Sequence, residues 1–337
     1  MWGPNGCTKA TRLTKIEFEP AHEQLQMKPF LKWVGGKGQI IETVLENFPT
    51  HLANYREPFL GGGSVLLAFL EAVAAGKITM SGQVYASDIN PNLIALYKNI
   101  QSNVNTLIDE VKKLVEEFKL CKGSFVNRKP KTLEEARTSP ESYYYWIRAK
   151  FNALSPEERS SEAASAIMLF LNKTCFRGVY REAQKGGFNV PFGHYVSPAI
   201  MDEGHLTAVS ALIAGVVFSV SHFEEALEAA VDGDFVYVDP PYAPANSTSF
   251  VSYTVDGFGA ENHTRLFQMC KELSPKGVKM LMSNADVALV KNAFPAPDYE
   301  TKIISCRRAI HSTDPSARVN EVLINERRIS VAPTYSI

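Results

Sequence analysis

The sequence predicts an α/β fold: a doubly wound, mainly parallel sheet with an antiparallel edge, interrupted by an inserted helical and β-hairpin unit. Three observations predict it. Short apolar, β-branched runs alternate with helical stretches before residue 96 and again after residue 216. The segment Phe235-Val-Tyr-Val-Asp-Pro-Pro-Tyr242 begins as a run apolar throughout, as a strand covered on both faces should be. The last apolar runs, 302–305 and 321–324, follow one another without a clear helix, which points to the antiparallel edge.

Up to Met27 the chain is polar and aperiodic, and a flexible extension is expected there. Pro29-Phe-Leu-Lys-Trp-Val-Gly-Gly-Lys-Gly38 reads as a loop entering a helix over 39–47, with Trp33 suited to a core or to a site. A short strand at Tyr55 leads into Glu57-Pro-Phe-Leu-Gly-Gly-Gly-Ser64 and a helix over 65–75. A second strand, Val84-Tyr-Ala-Ser87, closes on Asp88-Ile-Asn-Pro91. Strand, glycine loop, helix, strand and acid make half of a nucleotide-binding unit. In such a unit glycines let the backbone approach a ligand and the acid accepts from ribose hydroxyls. Gly61-Gly-Gly63 lacks the third glycine of the dinucleotide fingerprint, and no Gly-Lys-Ser/Thr follows, so neither an NAD site nor a P-loop is expected.

Residues 96–206 break the alternation. A charged amphipathic stretch at 107–119 precedes the loop Lys122-Gly-Ser-Phe-Val-Asn-Arg-Lys-Pro-Lys131, and helices are expected over 142–154 and 161–171. A hairpin is expected next, with strands at 178–183 and 188–192 around the turn Gln184-Lys-Gly-Gly187. Lys173, Phe176, Arg177, Tyr180, Arg181, Lys185, Phe188, His194 and Tyr195 interleave cations with aromatics there. That mix suits phosphate contact and base stacking, or simply a solvated basic face. Strands resume at 216–220, 235–238 and 278–282, with helices over 225–231 and 262–273. Proline cannot extend a ladder and restricts the residue before it, so the strand at 235–238 stops at Asp239. The elbow then holds a carboxylate, a carbonyl and an aromatic face at the edge where open α/β sheets bind ligands. A plain strand followed by a proline turn is the alternative. A carboxylate facing a cleft is expected to be dispensable for packing.

At 337 residues, 45% hydrophobic and 21% charged, the chain can bury a full core, which excludes disorder. A formal net charge of -1 argues against an indiscriminate nucleic-acid coat while allowing a local basic face. Five scattered cysteines without a Cys-x-x-Cys pair point to reduced thiols inside a cell. No apolar leader is apparent at the amino terminus, and the longest apolar stretch, 206–220, is too short to span a bilayer. The seven histidines have no ligand spacing, so no metal is expected.

Taken in order, Phe30-Leu-Lys-Trp33 with Gly35-Gly-Lys37, Glu57-Pro-Phe59 with Gly61 and Gly63, Asp88-Ile-Asn90, Phe188-Asn-Val-Pro-Phe-Gly193 and Asp239-Pro-Pro-Tyr242 carry a likeness. They resemble the Dam-type (D12 class, alpha group) adenine-N6 DNA methyltransferases, from about Pro29 to Asn325. The tail from Arg307-Arg-Ala-Ile to Val319-Asn-Glu-Val-Leu323 continues it. The resemblance implies a Rossmann-like methyltransferase sheet over 28–95 and 207–328 and a target-recognition domain over 96–206. An extension at 1–27 and a tail at 329–337 flank them.

It also implies roles. S-adenosyl-L-methionine would sit against Trp33, Lys37, Phe59, Gly61, Gly63, Ser64 and Asp88, with Asp239 near its amino group. Phe223 matches a ring beside the cofactor adenine and is equally suited to the core. An exocyclic adenine amine is a poor nucleophile because its lone pair is delocalised. Asp239 and the Pro240 carbonyl would accept its two N–H bonds while Tyr242 stacks on a base flipped from the duplex. Lys32, Phe176, Val179, Arg181 and Pro191 match the positions that read or wedge the target, which favours 5′-GATC. Arg177 stands where the family usually has asparagine. Double-stranded DNA is the implied partner, no membrane is, a cognate restriction endonuclease is admitted, and a monomer is expected. Asp/Asn-Pro-Pro-Tyr elbows also serve enzymes acting on RNA adenines or glutamine amides, and an inactive DNA-binding relative is a further alternative.

Overall fold

The computed structural model describes residues 27–184, 186–244, 258–307 and 318–327. The extension expected before Met27, Lys185 of the expected turn, part of the tail likeness (308–317) and the expected tail at 329–337 lie outside the described residues.

Seven strands form the main sheet: β1 (Tyr55–Glu57), β2 (Val84–Asp88), β3 (Val216–Val220), β4 (Phe235–Val238), β5 (Lys279–Ala285), β6 (Tyr299–Arg307) and β7 (Arg318–Glu326). Their order is β3-β2-β1-β4-β5-β7-β6. Strands β1 to β5 pair in parallel, and β7 runs antiparallel to both β5 and β6, the edge expected from the missing helix. A separate parallel pairing joins His51–Leu52 to Thr79–Met80, too short to leave a sequence signal.

The helices are α1 (Ile41–Glu46), α2 (Ser64–Ala74), α3 (Pro91–Leu120), α4 (Leu133–Ala136) and α5 (Pro140–Ala153). There follow α6 (Glu162–Thr174), α7 (Glu203–Leu212), α8 (Phe223–Glu228), α9 (Ala260–Lys271) and α10 (Ala288–Ala293). Side-chain alternation explains why β4 is buried at every position. Phe235 and Tyr237 join a core with Val44 of α1, Phe69 of α2 and Leu93 of α3. Val236 and Val238 point to the other face, against Leu227 of α8, Leu266 and Phe267 of α9 and Val290 of α10. Helices cover both faces, so the sheet is doubly wound. Among the described residues no helix is long and apolar enough to cross a membrane.

Two expectations change. The amphipathic stretch at 107–119 is the second half of α3, which starts at Pro91 and is non-helical only at Asn103. Asn90 caps it, accepting from the Asn92 and Leu93 amides, and Pro91 needs no amide partner at the first turn. Residue 96 therefore lies inside a helix whose Leu93, Leu96, Tyr97 and Ile100 belong to the main core. The expected hairpin keeps its turn and its Glu182 to Phe188 pairing, with the Ala183 amide donating to Gly187 and the Asn189 amide to Arg181, but beyond a second bridge, Cys175 to Phe192, it forms no continuous strands. Side chains of α5 take the backbone groups a ladder would have used. Asn152 bonds both the amide and the carbonyl of Phe188, and Tyr144 and Arg148 donate to the Val190 carbonyl.

Candidate active site

From β1 the chain steps outward to β2 and β3, and from β4 it steps outward the other way to β5. That reversal opens a crevice at the carboxyl ends of β1 and β4. A cavity of about 990 Å³ occupies it, near the upper end of ligand-pocket sizes. Trp33, Lys37, Phe59, Gly61, Gly63, Ser64, Asp88, Phe223, Asp239, Pro240 and Tyr242 all line this one cavity.

Asp239 and Lys37 form its polar centre. Lys37 is buried, its Nζ lies 2.6 Å from Asp239 Oδ2, and it donates to the Gly35 carbonyl at 2.7 Å. Burial pushes the Asp239 carboxyl up to about 6, against the pull of the Lys37 ammonium. Glu57, at the end of β1, accepts from Tyr55 Oη at 2.7 Å and is pushed up by burial to about 8. The Tyr242 ring lies 4.9 Å from Lys37 Nζ, and its hydroxyl donates to Glu321 Oε2 at 2.8 Å. Asp239 was expected to be dispensable for packing; the structure instead makes it the counter-ion of a buried lysine.

The glycine loop differs in detail from its expected use. Gly61 and Gly63 have φ of +50° and +69°, which favour glycine. A Cβ at Gly61 would lie 3.0 Å from Trp33 Cδ1, and one at Gly63 would lie 2.3 Å from Tyr97 Oη. Their bare sides are thus filled by the protein's own rings. Asp88 Oδ2 accepts from the Gly61 amide at 3.0 Å and Oδ1 from the Asn90 amide at 2.9 Å. A carboxylate has about four acceptor sites, and with the Ile89 amide also bonded to it Asp88 still has acceptor capacity left for a ligand. Phe223 is both core and cavity wall: it is buried, and its ring stacks on Phe59 at 5.7 Å. Phe258 completes a three-ring wall, 5.8 Å from each of the other two.

Lys32, Phe176, Val179 and Pro191 meet in the inserted unit. Asn172 of α6 binds the Lys32 amide and carbonyl and also the Gly178 carbonyl. The Phe176 amide donates to the Pro191 carbonyl at 2.8 Å, and the Phe176 ring is 47% exposed. Arg181 is exposed, with its Nε donating to Asn189 Oδ1 at 2.7 Å. Lys32 stands over the Tyr195 ring at 4.3 Å, and burial together with Lys32 pushes the Lys173 amine down. Two close cations suit a bound anion. Trp33 stacks on Tyr180 at 5.5 Å, which joins this surface to the cavity wall.

Four residues near the elbow escaped the sequence reading: Phe258, His263, Asn284 and Glu321. Fully buried His263 has Nε2 3.0 Å from the Pro241 carbonyl and Nδ1 2.9 Å from the Gly259 carbonyl. Burial pushes its pKa down, and a neutral ring carries one N–H, so only one of these contacts is a donated bond. Asn284 Oδ1 accepts from the Ala243 amide at 3.0 Å. With Glu321 on Tyr242, three side chains pin the elbow. Glu321 lies in the Val319-Asn-Glu-Val-Leu323 run of the likeness, which gave it no role, whereas His263 and Asn284 are lone polar residues on an ordinary helix and strand, which leaves no motif to find. His263→Ala is expected to lose about 1–3 kcal/mol of stability and to lower kcat, with His263→Gln restoring much of both. Urea melts beside steady-state rates will check this, and an unchanged melt would remove His263 as an anchor.

The comparisons with known proteins agree with this arrangement. The chain is 38% identical over 267 residues to the type II methyltransferase M.MjaIII of Methanocaldococcus jannaschii, covering 77% of this chain and 85% of that protein. It is 28% identical over 305 residues to the type II methyltransferase M1.LlaDCHI of Lactococcus lactis, covering 89% and 96%. It is 31% identical over 299 residues to the DNA adenine methylase of Haemophilus influenzae, covering 88% and 92%. The family profile for D12 class N6 adenine-specific DNA methyltransferase matches residues 33–310, most of the sheet and the whole inserted unit. The chain belongs to the D12 class of N6 adenine-specific DNA methyltransferases.

Proposed function

We propose that this enzyme transfers the methyl group of S-adenosyl-L-methionine to N6 of an adenine flipped out of duplex DNA, within a short palindrome such as GATC. The observation that carries the reading is the Asp239-Pro240 elbow on the cavity wall. Its carboxylate is held by Lys37, and no described residue donates to the Pro240 carbonyl. The cavity fits the donor. It offers a three-ring wall for a flat adenine, spare acceptors on Asp88 for ribose hydroxyls, and Lys37 with Asp239 for a zwitterionic end. When bound, that cofactor supplies an electrophilic methyl group on a sulfonium.

The residues of the chain do the rest. Asp239 Oδ and the Pro240 carbonyl accept the two N–H bonds of the amine, so its nitrogen becomes tetrahedral and its lone pair is freed. Asp239 and the Pro240 carbonyl would hold the amine while its freed lone pair takes up the methyl group that the cofactor supplies, and the amine's surplus proton would leave through this acceptor side. Ionised Asp239 stabilises the positive charge that grows on nitrogen. The Tyr242 ring, braced by Glu321, gives the base a face on which to stack. Incubating the enzyme with labelled S-adenosylmethionine and unmethylated duplex DNA, then mapping the modified bases, tests the reading. Methyl-N6-adenine in one short context is expected, and label confined to RNA or protein would overturn it.

Arg181 supplies the specificity prediction. Its side chain is exposed beside Val179 and close to the Asn189 that precedes Pro191. Arg181→Ala is expected to cost roughly 1–3 kcal/mol at one base position and relax that position alone. Methylation profiling on randomised duplexes reads this directly. A uniformly slower enzyme with an unchanged motif would make Arg181 a backbone contact and remove the main support for GATC.

A further inference from the structure

The loop between α3 and α4 carries a surface that the reaction above does not use. Residues 122–131 include Lys122, Arg128, Lys129 and Lys131 and no acid, and Phe125 is 71% exposed. The loop is nonetheless fixed. Ser142 Oγ accepts from the Asn127 amide at 2.8 Å and donates to the Phe125 carbonyl at 3.2 Å. Asn127 Oδ1 accepts from the Lys129 amide at 2.9 Å, Glu135 Oε2 accepts from the Lys131 amide at 2.7 Å, and Pro130 is buried between the two lysines. Among the described residues none of Lys122, Lys129 and Lys131 has an ion-pair partner. Three cations are therefore displayed on a pre-organised backbone, which lowers the ordering cost of any contact they make.

Their place in the fold names the partner. Arg128 Nε lies 3.0 Å from Glu141 Oε1, and Glu141 Oε2 lies 3.8 Å from His194 Nε2. His194 follows Pro191 by three residues, so one shared carboxylate separates the loop from the segment read above as a target contact. Arg128 is committed to Glu141, which leaves the three lysines. We propose that Lys122, Lys129 and Lys131 form a flanking DNA-contact surface that binds duplex phosphates outside the recognition sequence. This rests on the reading that Phe176, Arg181 and Pro191 face the target. Three extended residues beyond Arg128 reach at most about 10 Å, and phosphates recur every ~3.4 Å along a strand. The Lys129 and Lys131 contacts thus reach roughly three nucleotides past the site, and Lys122, six residues before Arg128, reaches up to about twice as far. Lysine acts there as a point charge and carries no sequence information.

The test compares the full-length enzyme with its K122S/K129S/K131S variant on two duplexes bearing one central target, about 8 and about 30 base pairs long, so that the short one ends before the proposed contacts. On the long duplex the variant is expected to bind about tenfold more weakly at physiological salt. Its log-log salt slope should fall by about two to three units, near 0.9 per lost phosphate contact. On the short duplex affinity and kcat should match wild type. A wild-type slope on the long duplex would overturn the proposal, and so would equal weakening on both duplexes, which would put the loop at the target itself. Both results leave wild-type methylation of the short duplex intact. Failure of wild type to methylate either duplex would instead refute the underlying reading, and the proposal with it.

Discussion

Asp239→Asn will lower kcat for methyl transfer by about 10²–10³-fold, the range for removing one pre-organised group that meets developing transition-state charge. The loss comes from charge rather than shape. Asparagine keeps an oxygen for Lys37 Nζ but cannot balance the cation that grows on the amine. The acceptor works only when ionised, and burial sets that ionisation near pH 6 in the free enzyme. Wild-type kcat/KM should therefore rise as pH increases through about 6 and stay level above it, and Asp239→Asn should lack that limb. Asp239→Ala is the poorer probe. It strips the counter-ion from a lysine only 4% exposed, and losing such a charged bond should cost about 1.5–3 kcal/mol of stability. Turnover by Asp239→Asn at the wild-type rate would remove the carboxylate from the mechanism.

How much of this was legible follows from how each feature is written in the chain. Phe235 to Val238 announced a central strand because both of its faces meet helices, so every position had to be apolar. The antiparallel edge was legible because the apolar runs 302–305 and 321–324 follow one another in the sequence without a clear helical pattern between them. The bridges at 178–192 were over-read as strands. The alternation was real, but α5 side chains, far off in sequence, satisfy that backbone. Arg177 illustrates a signal with two meanings. It stands in the recognition segment where the family usually has asparagine, and its φ is +57°, a region in which asparagine is far more at home than arginine. The position thus answers to backbone shape as well as to DNA. Motif residues on the loops after β1, β2 and β4 line one cavity because parallel strands deliver their ends to one edge. His263 and Asn284 reach the same edge from elements whose sequence says only helix or strand.

Gly61→Val and Asp88→Asn should each weaken S-adenosylmethionine binding roughly ten- to a hundred-fold, the equivalent of losing one charged hydrogen bond. They act by different routes. At Gly61 a branched side chain would sit at φ +50°, with its Cβ 3.0 Å from Trp33 Cδ1. The backbone must leave the left-handed region or the indole must move, and the indole is stacked on Tyr180. Either shift deforms the wall between the glycine loop and the 29–38 loop. At Asp88, asparagine keeps one oxygen, for either the Gly61 or the Asn90 amide, turns an NH2 toward the other, and loses the charge and the spare oxygen sites that a ribose diol would use. Asp88→Ala would leave both amides unpaired and confuse loop collapse with lost ligand contact, so the amide is the cleaner probe. Calorimetry with S-adenosylmethionine, beside thermal melts of the ligand-free variants, separates the two causes. Weak binding with a wild-type melt in Asp88→Asn would assign the carboxylate to the cofactor, whereas unchanged affinity in both variants would move the cofactor out of this cavity.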